Sequence, residues 1–271
     1  MARVNFWGVQ GSCPGAYYED NLGSNTSCIS IEIDDTLIIL DAGTGIRSLS
    51  ATLDLNKYKK VILLLTHSHW DHIQGFPFFS YIYQKKQLII YSHLKEHFDG
   101  LLSQINGINF PLKKEELMCD IIYTQDLKEL EEQTGIHIET IQTNHQGECI
   151  GYRVKHKECD VCYIPDNQLH NTTITAFNEF VEFCAYSRVL IHDSQYTDTD
   201  MPHKIDWGHS LYTDALELAI QSNVDHFVLF HHEPTRSKNE ILKLVDHCKS
   251  ITDKVQIHAG KEKEGIDLLG N

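Results

Sequence analysis

Five consecutive aliphatic residues, Val61-Ile62-Leu63-Leu64-Leu65, run straight into Thr66-His67-Ser68-His69-Trp70-Asp71-His72. A strand that is apolar at every position is buried on both faces, so this one belongs inside a sheet that is covered above and below. The polar segment at its end is then a loop carrying four potential metal ligands on a rigid platform. His67 and His69 lie two residues apart, so in an extended chain both imidazoles face the same way and can reach one cation. If the backbone turns helical at Asp71, that carboxylate and His72 project to a neighbouring point. A second ion could sit there, about 3.5–4 Å from the first. The competing reading is a surface loop that holds three histidines by chance; H-x-H-x-D-H behind an apolar strand favours metal.

Around this centre, β-branched and aliphatic runs predict strands at 2–7, 28–34, 36–41, 61–65, 88–91, 136–142, 149–155, 160–164, 187–192 and 226–230. Helical spacing predicts helices near 43–51, 93–104, 172–184, 211–221 and 237–249. Ser210 is expected to cap the fourth helix, with Thr213 and Asp214 in its first turn. Strands fill the first two-thirds, and strand–helix alternation fills the last third. That order predicts an α/β protein of two packed sheets with helices outside, a single domain over 1–271.

Several function classes are disfavoured by composition. No window approaches the roughly 18 apolar residues of a membrane span. The chain enters a strand-like pattern from its first residues, which leaves no room for a signal peptide and makes a cytoplasmic protein the expectation. Net charge is −15, and no basic run exceeds the doublets Lys59-Lys60, Lys85-Lys86 and Lys113-Lys114. A protein that grips a long polyanion needs a basic patch, so no long nucleic acid is expected as a partner. Eight cysteines are scattered along the chain. Cys159 and Cys162 form a C-x-x-C, but inside a strand pattern rather than at a helix start, so packed thiols are expected.

The T-H-S-H-W-D-H segment resembles the metal motif of the metallo-β-lactamase superfamily. The resemblance continues through Phe6-Trp7-Gly8-Val9-Gln10-Gly11-Ser12, Gly23-Ser24-Asn25-Thr26-Ser27-Cys28 and Leu40-Asp41-Ala42-Gly43-Thr44-Gly45. These segments are similar to the branch that groups ribonuclease Z with phosphodiesterase-like hydrolases, including cyclic-nucleotide phosphodiesterases. The resemblance implies a four-layered αββα sandwich with two divalent metals at one edge. Asn144-His145-Gln146-Gly147-Glu148-Cys149-Ile150-Gly151-Tyr152 resembles the family's H-x5-G-Y stretch, which puts His145 with His67 and His69 on the first metal. Asp166, in Tyr163-Ile164-Pro165-Asp166, matches the bridging aspartate. In Phe230-His231-His232 the first histidine matches the last ligand, so Asp71, His72, Asp166 and His231 hold the second metal, with His232 the alternative to His231. Zinc suits so many histidines; manganese or iron also suits a set with two carboxylates.

Ile191-His192-Asp193-Ser194-Gln195-Tyr196 and Asp206-Trp207-Gly208-His209-Ser210 separate this branch from glyoxalase-type relatives. His209 matches a histidine that acts near the leaving oxygen, at a helix start where amide dipoles favour phosphate. The alternative for His209 is packing beside Trp207. Asp193 either orients a histidine or caps a loop. Asp71, His209 and Asp193 are the expected catalytic residues. The family's tRNA-gripping arm falls between the positions of His145 and Asp166, where this chain has only twenty residues. The implied reaction is hydrolysis of a small phosphodiester, a 3′,5′-cyclic nucleotide first, by metal-activated water. A ribonuclease Z-like nuclease or a (thio)ester hydrolase is the alternative, and a non-catalytic metal-binding sensor is a third class. A homodimer is implied by the family.

Overall fold

The computed structural model describes residues 2–15, 22–157, 159–170 and 174–268. Thirteen strands are seen among them: β1 Ala2–Gly8, β2 Cys28–Ile33, β3 Thr36–Leu40, β4 Lys60–Leu64, β5 Gln87–Tyr91, β6 Asp120–Thr124, β7 His137–Gln142, β8 Ile150–His156, β9 Cys159–Ile164, β10 Val189–Asp193, β11 His226–Phe230, β12 Gln256–Ala259 and β13 Gly265–Asp267. They form one sheet in the order β13-β1-β2-β3-β4-β5-β6 and another in the order β12-β11-β10-β9-β8-β7. The helices are α1 Gly45–Thr52, α2 Trp70–Ile73, α3 Lys95–Ser103, α4 Leu127–Thr134, α5 Phe177–Cys184, α6 Met201–Lys204, α7 Tyr212–Gln221 and α8 Lys238–Ile251.

The layer order follows from how each strand divides its side chains. In β4 and its end, Ile62 and Leu64 enter the core between the sheets, while Val61, Leu63 and Leu65 pack outward. The outward set meets Ile46 and Leu49 of α1 and Leu101 of α3. β3 alternates in the same way, Ile38 and Leu40 inward, Leu37 and Ile39 outward. On the second sheet Tyr163, Ile191, Val228 and Phe230 face the inter-sheet core, and Ile164, Leu190, Phe227 and Leu229 face α5, α7 and α8. Both sheets are therefore covered on both faces, and the result is the four-layered αββα sandwich expected. The all-aliphatic character of β4 is the sequence trace of that double burial. Cys159 lies in the inter-sheet core and Cys162 on the opposite, helix-covered face, both as free thiols, so they pack as expected.

Some expectations need correction. β6, β12, β13, α4 and α6 were not anticipated. β6 is a part-exposed edge strand and β13 only three residues, too short for a clear alternation. α4 buries only Leu130, so its sequence lacks an apolar stripe. The helix expected at 172–184 starts at Phe177; 174–176 precede it, and 172–173 lie outside the described residues. Ser210 does not cap α7. Its hydroxyl donates to the Asn167 carbonyl at 2.6 Å and accepts from Leu169 N–H at 3.2 Å, tying the helix start to the loop behind β9. Among the described residues no helix is long and apolar enough to cross a membrane.

Candidate metal centre

β3, β4, β5 and β6 run parallel in one sheet, and β9, β10, β11 and β12 run parallel in the other. Their carboxyl ends meet at one edge of the sandwich, the usual place for a site in sheets of this kind. Asp41 follows β3, His67 to His72 follow β4, and His145 lies between β7 and β8. Asp166 follows β9, Asp193 ends β10, and His231 follows β11. The chain turns helical at Trp70, and that turn separates His67 and His69 from Asp71 and His72.

Two groups of potential ligands result: His67, His69, His145 and Asp166, and Asp71, His72, Asp166 and His231. Asp166 belongs to both, and its two oxygens divide between them. Oδ2 lies 3.5 Å from His145 Nε2 and 3.8 Å from His67 Nε2. Oδ1 lies 3.0 Å from His72 Nε2 and 3.3 Å from His231 Nε2. Asp71 Oδ2 completes the second group, 3.2 Å from His231 Nε2 and 3.4 Å from His72 Nε2. In the first group His69 Nδ1 faces His145 Nε2 at 3.1 Å.

Four of the five imidazoles are held from behind by a hydrogen bond at Nδ1, which turns Nε2 inward. His72 Nδ1–H donates to Asp41 at 2.8 Å, His145 Nδ1–H to the Gly208 carbonyl at 2.9 Å, and His231 Nδ1–H to Gln195 Oε1 at 3.2 Å. His67 Nδ1–H reaches the Thr66 hydroxyl at 3.1 Å, and that hydroxyl donates to Asp41. Partners of this kind fix the ring and raise its basicity as a ligand. The inward atoms His67 Nε2, His72 Nε2 and Asp166 Oδ1 are buried with no hydrogen-bond partner among the described residues. Buried polar atoms are seldom left so, and a cation in each group would satisfy them. The residues therefore fit two divalent ions.

The electrostatics agree. Burial pushes the pKa of His67, His69 and His145 below the ordinary value, which favours the neutral, ligating form. Burial also opposes charge on His72 and His231, but Asp166, Asp71 and other nearby carboxylates outweigh it. His72 is held well above its ordinary value and His231 is raised to about 9. Asp71 and Asp166 are held well below the usual carboxylate range: burial opposes this, and the histidines around them overcome it.

His231 and His232 point in different directions, and His231 is the one in the second group. His232 Nε2–H donates to the Gly260 carbonyl at 2.9 Å, away from the cluster. His209 sits over both groups, its ring 5.0 Å from that of His231 and 5.1 Å from that of His145. Its Nδ1–H donates to Asp193 Oδ2 at 2.7 Å, so Asp193 orients a histidine. That carboxylate is fully buried and also accepts from Asn167 and Gln195 N–H. Asp193, His209 and His231 form a third close triad. Trp207 is 60% exposed, and the aromatic ring edge-on to His209, at 5.5 Å, is that of Tyr196.

Sequence reasoning missed three supporting residues. Asp41 was visible as an aspartate–glycine turn but not as the partner of His72; it also accepts from Thr66 N–H and from the Tyr163 hydroxyl. Gln195, which orients His231, had no signal of its own. Gly208 has φ +82°, and a Cβ there would lie 2.4 Å from His145 Nδ1. Gly208→Ala should therefore push His145 away and weaken metal binding at the first group by about 10–100-fold, the scale for losing a partner of a ligand. A competitive zinc titration measures this; unchanged affinity at both ions would show that the close approach is not needed.

Residues 36–232 match the profile of the beta-lactamase superfamily domain. A ribonuclease Z from Picrophilus torridus is 22% identical over 301 aligned residues, covering 92% of this chain and 91% of that protein. The metallo-beta-lactamase fold protein YhfI from Bacillus subtilis superposes with TM-score 0.72 at 18% identity, covering 98% of both chains. A diphosphatase of the PhnP family superposes with TM-score 0.69 at 14% identity, also over 98% of both chains.

Proposed function

Because the chain belongs to the metallo-β-lactamase superfamily, in its ribonuclease Z-like branch, and is a metal-dependent hydrolase, we propose that it hydrolyses a small phosphodiester, a 3′,5′-cyclic nucleotide. The observation that carries this reading is one carboxylate, Asp166, turning its two oxygens to two separate histidine groups beneath His209. His67, His69, His145, Asp71, His72, His231 and the shared Asp166 would hold two divalent ions, which would supply Lewis acidity and lower the pKa of a water. Zinc is the metal we assign, on the histidine-rich donor set. A homodimer, which the family resemblance implies, and a single domain over 1–271 complete the proposal.

The protein's own groups do the rest. Asp41, Gly208 and Gln195 hold His72, His145 and His231 with their inward nitrogens free. Asp193 accepts from His209 Nδ1–H, which leaves Nε2 free toward the substrate. From there His209 protonates the departing alkoxide, a poor leaving group without a proton. Asp193 stabilises the charged imidazole and fixes its orientation.

Substrate size rests on charge and on the chain between His145 and Asp166. A net charge of −15 opposes a long polyanion. The stretch from His145 to Asp166 carries β8 and β9, paired as neighbours in the second sheet. Similarity to ribonuclease Z along most of the chain supports a second reading, a ribonuclease Z-like nuclease. A panel assay of zinc-loaded protein separates them. Turnover of a cyclic mononucleotide to the linear monophosphate is expected. Efficient cleavage of precursor tRNA with no cyclic-nucleotide turnover would reverse the order. Turnover of a thioester alone would move the substrate class, and no turnover of any arm would leave a metal-binding sensor.

A further inference from the structure

Two of the three tryptophans stand in solvent, and both adjoin the metal centre. Trp70, 79% exposed, directly follows His69; Trp207, 60% exposed, is separated from His209 by Gly208 alone. The third, Trp7, is buried and donates its indole N–H to Ser30 Oγ at 2.8 Å. Trp70 opens α2, behind β4 of the first sheet, and Trp207 lies in the segment joining β10 of the second to α7. The two residues therefore come from segments of different sheets, each close in sequence to residues of the metal centre. The Trp207 segment is tied to the site: Gln146 Nε2 donates to the Asp206 carbonyl at 2.7 Å, and His145 to that of Gly208. Lys204 Nζ, paired with Glu233 Oε2 at 2.7 Å, stands 6.0 Å from the Trp207 ring centroid.

An exposed indole leaves a large apolar surface in water, and a planar ligand covers it at little entropic cost. Any nucleobase offers such a face, and stacking on an aromatic side chain is tolerant of which base it is. We propose that Trp70 and Trp207 are specificity residues that stack on the nucleobase of a nucleoside esterified through its sugar to the substrate phosphate. The substrate class is then nucleoside phosphodiesters, as opposed to alkyl or lipid ones. This inference rests on the phosphodiesterase reading above, and deepens it.

The test compares two diesters with the same leaving group, thymidine 5′-(p-nitrophenyl phosphate) and methyl p-nitrophenyl phosphate, on zinc-loaded protein. The wild type should prefer the thymidine ester in kcat/KM. That preference should fall about tenfold in Trp70→Ala and in Trp207→Ala, within the range for loss of one stacking contact, and largely survive in the Phe variants. Titration with adenosine 5′-monophosphate should quench tryptophan fluorescence in the wild type but not in the double variant, which retains only Trp7. A preference unchanged within about twofold in both Ala variants, or equal quenching in the double variant, would overturn the stacking role while leaving a phosphodiesterase. Hydrolysis of neither ester would instead remove the phosphodiesterase reading; the nucleotide titration would then still decide whether the tryptophans stack.

Discussion

His209→Ala should lose on the order of 10²–10⁴ in turnover of a cyclic nucleotide while keeping its fold and both metals, the usual scale for a positioned acid. The imidazole is held by a 2.7 Å bond from Nδ1 to the buried Asp193, and none of the seven residues of the two ligand groups depends on it for a hydrogen bond. Its contribution depends on the leaving group. A ribose alkoxide needs a proton as it departs, whereas p-nitrophenolate does not. The loss on an aryl phosphodiester should therefore be much smaller. Parallel assays on the two substrates, with metal analysis of the same samples, give the answer. Equal losses would make His209 a stabiliser of phosphoryl charge, and loss of an ion would make it a ligand, as its proximity to His231 allows. Unchanged rates would remove it from the mechanism.

Asp166→Ala has the larger expected effect, because one change strips both groups. The carboxylate has an oxygen within 3.0–3.8 Å of four imidazoles: His67, His145, His72 and His231. Without it, the first group retains three neutral nitrogens, and the second has Asp71 as its only anion. Both ions should bind more weakly, and activity should fall below detection at equimolar zinc. Asp166 is 2% exposed and the histidines around it are buried, so the change also leaves polar atoms unmatched. Asp166→Asn keeps the volume and separates that effect from lost charge. It too should lose metal, by inductively coupled plasma analysis after gel filtration. Retention of two ions by Asp166→Asn would show that the bridging charge is dispensable.

The parts of this molecule legible in its sequence are those where one physical demand dominates. The run from Val61 to Leu65 had to be buried on both faces, and the structure sends alternate residues to two different cores. The spacing of His67, His69, Asp71 and His72 needed only a strand end followed by one helical turn, and α2 supplies it. His145, Asp166, His231 and His209 were found through family resemblance, since single residues after strands carry little signal by themselves. Asp41, Gln195 and Gly208 escaped because their roles exist only across long sequence separations. Asp41 bonds a histidine 31 residues away, and the Gly208 carbonyl receives one 63 residues away. α4 escaped for a different reason. Its signals were a cap at Asp126 and the left-handed Gly135, while its side chains show almost no buried stripe.

The central claim is a pair of ions bridged by Asp166, and anomalous diffraction from zinc-loaded crystals at the zinc edge tests it most directly. The account predicts two anomalous peaks per chain: one among His67, His69 and His145, the other among Asp71, His72 and His231, with Asp166 between them. A single peak in a fully loaded crystal, or two peaks with Asp166 touching only one, would contradict it.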